Sequence, residues 1–186
     1  MFQQVCNYFV WGMTYSIAGW IWEVILFCFT EKKFINRGFV FGPVCPIYGA
    51  GALAMWGIFG VWLQWRNIFT LFFLGGLLAC VMEYIISYGL EKIFHQRWWD
   101  YTRNRFNING RVCPLGFTAF GVFCVLVVRW VQPFIIWVTS LIPDLIIMSV
   151  AITLVVTFGM DLLVTVGKLC KLDVKLAQLR RKHSTP

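Results

Sequence analysis

The chain has 186 residues, of which 60% are hydrophobic and only 13% are charged. Globular domains carry about 25% charged residues, and a soluble domain of this size cannot bury so much apolar surface. Composition therefore excludes a soluble enzyme, a disordered chain and a secreted disulfide scaffold, and it predicts an all-α integral membrane protein. The net charge of +8 is attributed to basic cytoplasmic loops rather than to nucleic acid binding, so no nucleic acid partner is expected.

Five apolar segments are predicted to cross the membrane. They lie at about 8–30, 46–65, 68–90, 115–130 and 144–167. Each is close to the ~17–25 residues that span a hydrocarbon core. A further apolar interval, 131–143, either extends the fourth span or forms an interfacial segment. It contains Pro133 and ends at Pro143, which favours a break over one continuous helix.

The positions of Lys and Arg predict the orientation. With five spans, fourteen of the sixteen basic residues fall on one side, in the first loop, the third loop and the C-terminal tail. The positive-inside rule places this side in the cytoplasm and the N-terminus outside. With four or six spans, the basic residues would no longer be concentrated on one side of the membrane. The tail, 168–186, alternates leucine with basic residues, which predicts an amphipathic cytoplasmic helix on anionic lipid or against a partner.

Rare residues recur in a repeated register. Glu23 and Glu31 are followed 60 residues later by Glu83 and Glu91, and these four are all the glutamates of the chain. The pair Cys45-Pro46 is followed 68 residues later by Cys113-Pro114. The pattern predicts a tandem parallel repeat of two-helix units, at about 8–65 and 68–130. The fifth helix at 144–167 completes a single transmembrane domain over residues 1–167.

Glu23 and Glu83 are the strongest functional candidates. Each lies roughly 10 Å from the cytoplasmic end of its helix, at 1.5 Å per residue. An ionisable group inside a span costs several kcal/mol unless it is paired or hydrated. We interpret the two as lining a polar cavity between the repeats, and the structural alternative is an ion pair with a basic residue of a neighbouring loop. Glu31 and Glu91 precede lysines at helix ends and are assigned to a solvated face.

The two basic loops supply the other candidates. Arg37 offers a planar fork for phosphate or carboxylate, although a capping turn with positive-inside charge explains its loop equally well. Asp100 is the one acid of the third loop and is expected to order an arginine. The candidate substrate-binding residues are therefore Glu23, Asn36, Arg37, Glu83, Trp98, Trp99, Asp100, Asn107, Asn109 and Arg111.

The sequence carries no motif of a known soluble chemistry. It has no ATPase, protease, hydrolase or kinase signature, so an enzyme is not favoured. Its seven cysteines lie mostly in apolar runs and lack zinc-site spacing, so no cofactor and no metal are predicted.

Several short motifs together resemble a known family. They are Gly19-Trp20 with Glu23, Lys33-Phe34-x-Asn36-Arg37-Gly38-Phe39 followed by Gly42-Pro43 and Pro46-x-Tyr48-Gly49, Glu83-Tyr84, Trp98-Trp99-Asp100-Tyr101 and Phe106-Asn107-x-Asn109-Gly110-Arg111. Over roughly residues 8–125 the chain resembles the Putative ABC-transporter type IV, or CmpB-like, family of small bacterial membrane proteins. The resemblance implies a multi-pass permease of the bacterial plasma membrane, with no stated substrate. It also implies the lipid bilayer, a cytoplasmic ATPase subunit and a homodimer or partner permease as partners.

Three functions are consistent with the sequence. The first is a transporter component in which Glu23 and Glu83 line a site between the repeats. The second is a membrane enzyme that acts on a lipid or polyprenyl phosphate, with Arg37 and Arg111 holding the phosphate. In that case Glu23, Glu83 or Asp100 would be the base or a metal ligand. The third is a non-catalytic scaffold or sensor, which would tolerate loss of both glutamates.

The orientation can be tested with topology reporters. A reporter fused after Arg66 should lie outside the cell, and one fused after Arg103 should lie in the cytoplasm, because the basic loops stay inside. The comparison of a periplasm-active with a cytoplasm-active reporter at both sites measures this. The opposite pattern would contradict both the span count and the placement of the glutamates.

Overall fold

The structure, a computed structural model, describes residues 1–32, 34, 36, 38–64 and 67–183, and among their side chains all but 30, 31 and 171–183. These residues form no strand beyond one bridge between Ile108 and Val112. The helices are α1 (Phe2–Glu31), α2 (Pro46–Met55, continued by a π-helical segment Trp56–Trp62), α3 (Ile68–Phe94), α4 (Pro114–Leu126, continued by a π-helical segment Val127–Val131), α5 (Gln132–Ser140) and α6 (Asp144–His183).

Four helical segments are long and apolar enough to cross a membrane. They are Phe2–Phe29, with 28 residues, and three segments of 27 residues, Ile68–Phe94, Pro114–Ser140 and Asp144–Cys170. The shorter apolar helix Pro46–Trp62 is the fifth. The predictions of an all-helical chain and of five helices are therefore confirmed for the described residues. Four of the five have spanning length, and a membrane crossing by the shorter second helix stays a prediction.

The predicted break at Pro133 is wrong. Helix α5 continues directly from α4 through the π-helical segment Val127–Val131, and the helix ends only at Ser140. The N–H of Gln132 bonds to the carbonyl of Val127, five residues back, instead of four. This widened turn changes the hydrogen-bond register just before Pro133. The helix continues past the proline although Pro133 has no N–H to donate. The chain does leave the helical conformation after Ser140, and α6 begins at Asp144, directly after Pro143.

The backbone of α6 continues past the predicted end of the fifth span to His183. The tail predicted at 168–186 is thus helical in its backbone as far as that residue. The side chains that define its amphipathic pattern, from residue 171 onward, lie outside the described ones, so the membrane-bound tail stays a prediction.

The ends of the helices follow from capping chemistry. Proline occupies the first turn of α2 and of α4, where its missing N–H costs no hydrogen bond. The side chain of Asn67 accepts the N–H groups of Phe69 and Thr70 at 2.9 and 3.3 Å, which caps α3.

Small residues let the helices of each hairpin approach closely. In the α1–α2 hairpin, a Cβ on Gly49 would lie 2.3 Å from the carbonyl oxygen of Gly12 and 2.3 Å from the hydroxyl of Ser16. In the α3–α4 hairpin, a Cβ on Gly121 would lie 2.7 Å from the carbonyl of Phe72. Membrane helices associate by such close packing, because lipid offers no hydrophobic driving force between them.

The hairpins and α6 pack through four apolar clusters, one of which joins Tyr15 of α1, Ala52 of α2 and Val127 after α4. Met55 and Phe59 of the α2 segment join residues of α3 and α4, including Leu71 and Cys124. On the other side of the bundle, α6 covers α1 through a cluster that contains Ile147. The fourth cluster joins α1 and α6 to the first loop: Met13, Val40 and Val44 with Leu154, Phe158 and Leu162.

The first loop folds back into the bundle, and this makes α2 short. The N–H of Cys45 bonds to the carbonyl of Ser16, near the middle of α1, at 3.0 Å. Ser16 lies about 22 Å along the helix from its end at Glu31, at 1.5 Å per residue. Non-helical backbone at such depth is tolerated where protein supplies its hydrogen bonds. Residues 38–45 therefore enter the bundle before α2 begins.

The close contact at Gly49 can be tested by a substitution that adds a methyl group at this position. We expect Gly49→Ala to destabilise the chain by about 1–3 kcal/mol, because the added Cβ overlaps the backbone of α1. Gly51→Ala, two residues on, is the matched control, because a Cβ there meets nothing within 4 Å. Thermal unfolding midpoints in one detergent measure both. Equal midpoints for the two variants would contradict the packing described here.

Candidate functional site

A cavity of about 560 Å³ lies between the two hairpins. Every helix of both hairpins lines it, together with parts of the first and third loops. Most of the wall is apolar or aromatic, and the acidic side chains in it are Glu23, Glu83 and Asp100. Its described lining consists of Glu23, Leu26, Phe27, Phe39, Cys45, Pro46, Ile47, Tyr48, Ala50, Gly51, Met55, Ala79, Met82, Glu83, Ile86, Leu90, Trp98, Trp99, Asp100, Tyr101, Phe120 and Phe123.

Each hairpin contributes one glutamate hydrogen-bonded to one tyrosine. The hydroxyl of Tyr48 donates to Oε1 of Glu23 at 2.6 Å. The hydroxyl of Tyr101 donates to Oε1 of Glu83 at 2.9 Å. Tyr48 lies in the first turn of α2, and Tyr101 lies in the third loop. Hydroxyl donors thus reduce the cost of placing two carboxyl groups inside the bundle.

Glu83 is the more deeply buried acid, and only 4% of its surface is exposed. Its second oxygen, Oε2, is buried and has no hydrogen-bond partner among the described residues. Buried carboxylate oxygens normally accept at least one hydrogen bond. This open acceptor position makes Glu83 the most distinctive polar group of the cavity.

Hydrogen bonds within the third loop hold Tyr101 against Glu83. The N–H of Tyr101 bonds to the carbonyl of Gly110 at 2.8 Å, and the N–H of Gly110 bonds to Oδ1 of Asn107 at 2.9 Å. Gly110 has φ of +68°, in the left-handed region that glycine adopts without strain. Burial and the adjacent Glu83 carboxylate raise the pKa of Tyr101 above its usual range, so its hydroxyl stays protonated and donates.

Glu91 anchors the same loop to α3. Arg97 contacts Oε1 of Glu91 at 3.0 Å, and Arg111 contacts Oε2 of the same side chain. Arg111 is only 7% exposed, donates to the hydroxyl of Ser87 at 3.1 Å and lies over the ring of Tyr88 at 5.4 Å. A guanidinium is suited to such simultaneous ionic and aromatic contacts.

The structure adds partners to two acids that the sequence singled out. Glu91 keeps 33% of its side chain exposed at the end of α3 and also binds two arginines of the third loop, which the sequence did not predict. Oδ1 of Asp100 accepts the N–H of Thr102 at 2.9 Å, and its expected role of ordering an arginine stays a prediction. That hydrogen bond lowers the pKa of Asp100 below its usual range. Spacing along the chain could not reveal which acid the loop arginines would reach.

The first loop is held by an acid from the last helix. Oδ1 and Oδ2 of Asp161 accept the N–H groups of Phe41 and Gly42, at 3.1 and 2.7 Å. Asn36 supports the same loop by accepting the indole N–H of Trp20 at 2.7 Å and donating to the carbonyl of Phe41 at 2.8 Å. Asp161 thus connects α6 to the loop that enters the cavity wall.

The cavity brings together half of the predicted site residues. Five of them line it: Glu23, Glu83, Trp98, Trp99 and Asp100. Four others are not among the described lining residues and instead make hydrogen bonds that hold the loops: Asn36, Asn107, Asn109 and Arg111. The remaining candidate, Arg37, lies outside the described residues.

Sequence reasoning missed three residues that shape the site. Tyr48 and Tyr101 stand inside motifs noted above, but nothing in their spacing connects them to the glutamates. Asp161 had a usable signal, because it is an acid within the apolar run of the last helix. The contacts of Arg111 give no support to a phosphate-binding role, since its terminal nitrogens donate to Ser87 and Glu91.

Four apolar helices of spanning length, with an acid-containing cavity between two hairpins, define a multi-pass helical membrane protein. The chain belongs to the Putative ABC-transporter type IV family, whose model matches residues 9–166. No curated protein and no solved structure is significantly similar to it.

The contact between Asp161 and the first loop can be tested by hydrogen exchange. We expect Asp161→Ala to speed exchange of the Phe41 and Gly42 amides by about tenfold or more, because both N–H groups lose a charged acceptor. Asp144→Ala, at the start of the same helix, is the control and should leave these amides unchanged. Unchanged protection in the Asp161 variant would show that the loop is held by other contacts.

Proposed function

We propose that this chain is the membrane component of a bacterial plasma-membrane transporter, a permease whose substrate enters the cavity between the α1–α2 and α3–α4 hairpins. The observation that carries the proposal is the buried Glu83 in that cavity, with one open oxygen. An ionisable residue inside a span is costly and characteristically marks a substrate or ion pathway. Membership in an ABC-transporter family agrees with this role.

The two hairpins are proposed to act as two copies of one unit. Each has a Cys-Pro start to its second helix, a glutamate-tyrosine hydrogen bond and a π-helical segment. Sites between repeats are common in transporters, because one unit can move against the other around a fixed site. In this proposal α6 stabilises the first unit, and residues 1–167 form one transmembrane domain with a lipid-bound tail.

The substrate-binding role is assigned to the cavity-facing candidates. Glu23 and Glu83 would contact the substrate, and Trp98, Trp99 and Asp100 would border its entrance from the basic side. Asn36, Asn107, Asn109 and Arg111 would act indirectly, by fixing the loops. Arg37 is retained as a candidate from its sequence position.

The basic side is proposed to face a cytoplasmic ATPase, since the chain contains no nucleotide-binding motif. Arg103 and Arg105 are exposed in the third loop, next to residues that line the cavity. A movement of Tyr101 would reach a partner bound there through the backbone of the loop. A second copy of the chain would complete the pathway, as the small size of one copy requires.

The ATPase coupling can be tested by gentle purification from native membranes in mild detergent, followed by mass spectrometry. We expect an ATPase to co-purify, and the double variant Arg103→Ala with Arg105→Ala to reduce its recovery several-fold, because exposed charges favour association. Asp144→Ala, at the opposite end of the bundle, is the control for loss of one charge.

Repeated absence of an ATPase, with function intact without ATP, would contradict the proposal. Equal recovery with both variants would show instead that the third loop is not the contact surface. Loss of the ATPase only in the control would place the partner at the other end of the bundle.

A further inference from the structure

The carboxyl groups that line the cavity indicate what kind of ligand it would accept. Glu83 and Glu23 both line it, and Glu83 is buried with only the Tyr101 hydroxyl as a donor among the described residues. A desolvated carboxylate is stabilised by a positive charge or by a hydrogen-bond donor. An occupant of the cavity that carries an ammonium group would supply both beside these carboxyl groups.

The walls of the cavity favour an organic cation over a metal ion. Eight of the described lining residues are aromatic: Phe27, Phe39, Tyr48, Trp98, Trp99, Tyr101, Phe120 and Phe123. Aromatic faces attract ammonium groups through their negative quadrupole, most strongly where water is excluded. Magnesium and calcium require about six or more oxygen ligands, whereas this lining is mostly carbon.

The dimensions of the cavity fit a small amphiphile. Its volume of about 560 Å³ is within the ~300–1,000 Å³ of small-molecule sites. Phe39 of the first loop and Trp98 of the third loop both line it, and their rings are 5.3 Å apart between centroids. Tryptophan prefers the membrane interface, so the loop side suits entry of a ligand that is partly apolar and partly charged.

We propose that the cavity binds a lipophilic amine in its protonated form, with the ammonium beside the carboxyl groups of Glu83 and Glu23 and the apolar body against the aromatic walls. The inference rests on the proposed transport function, for which it names the substrate class. Glu23, held by Tyr48 on the other hairpin, adds negative potential to the same cavity.

The test uses the full chain in lipid nanodiscs, with three probes of nearly equal shape and different charge. They are para-phenylbenzylamine, para-phenylbenzyl alcohol and para-phenylbenzoate, measured by equilibrium dialysis at neutral pH against empty nanodiscs. We expect the amine to bind at least about tenfold more tightly than the alcohol, because it alone pairs with the carboxylate. The benzoate should not bind above the blank.

Glu83→Gln should weaken amine binding by about tenfold or more and leave alcohol binding unchanged, because the amide keeps the shape and removes the charge. Asp144→Asn is the matched control and should leave amine binding at the wild-type value. Thermal unfolding of each variant checks folding, and the comparison of the three probes on the unmodified chain needs no variant.

Equal affinity for amine and alcohol, preference for benzoate, or unchanged amine binding by Glu83→Gln would overturn the proposal. These outcomes do not depend on an ATPase. Amine binding without ATPase recovery would therefore refute the coupling and keep the ligand class, whereas ATPase recovery without amine binding would refute the ligand class alone.

Discussion

An acidic side chain inside an apolar bundle must find a hydrogen-bond donor or a cation, and the rest of this structure depends on that requirement. Glu83 obtains a hydroxyl from Tyr101, and Asp161 obtains two backbone N–H groups. Glu91, at the partly exposed end of α3, obtains two arginines. In each case the partner comes from a loop. The acids therefore hold the loop segments that fold back into the bundle, and those segments in turn line the cavity, mostly with aromatic side chains.

Close helix packing makes room for these infolded loops. Gly49 brings α2 against the backbone of α1, and Gly121 does the same for α4 and α3. Each hairpin is therefore narrow where its helices cross, and the space between the hairpins remains open. The π-helical segment before Gln132 has a comparable effect, because it lets a 27-residue helix pass Pro133 without a break. Local irregularities thus preserve long helices around an internal cavity.

The cavity combines a third loop held by several hydrogen bonds with a Glu83 oxygen that has no donor among the described residues. Arg111 and Asn107 hold the third loop through several hydrogen bonds, so Tyr101 is positioned before any ligand arrives. Such preorganisation lowers the entropic cost of binding. The open oxygen of Glu83 lies in this fixed environment, which connects the proposed transport role to a ligand of defined charge. The same loops carry the basic residues that would face a partner, so ligand binding and partner binding share one structural element.

Composition and residue order by themselves determined the membrane class, the helical fold and the number of helices, because these follow from hydropathy, and they singled out Glu83 as a costly charge inside a span. The family, too, was recognisable from short motifs and is confirmed by the match over residues 9–166. Only the tertiary structure decided the partners of each acid. The bonds from Tyr48 to Glu23 and from Phe41 to Asp161 join residues far apart in sequence, and their formation depends on loop paths that no helical periodicity encodes. For the same reason the ion pairs of Glu91 were not predicted, since its arginines reach it only after the third loop has folded.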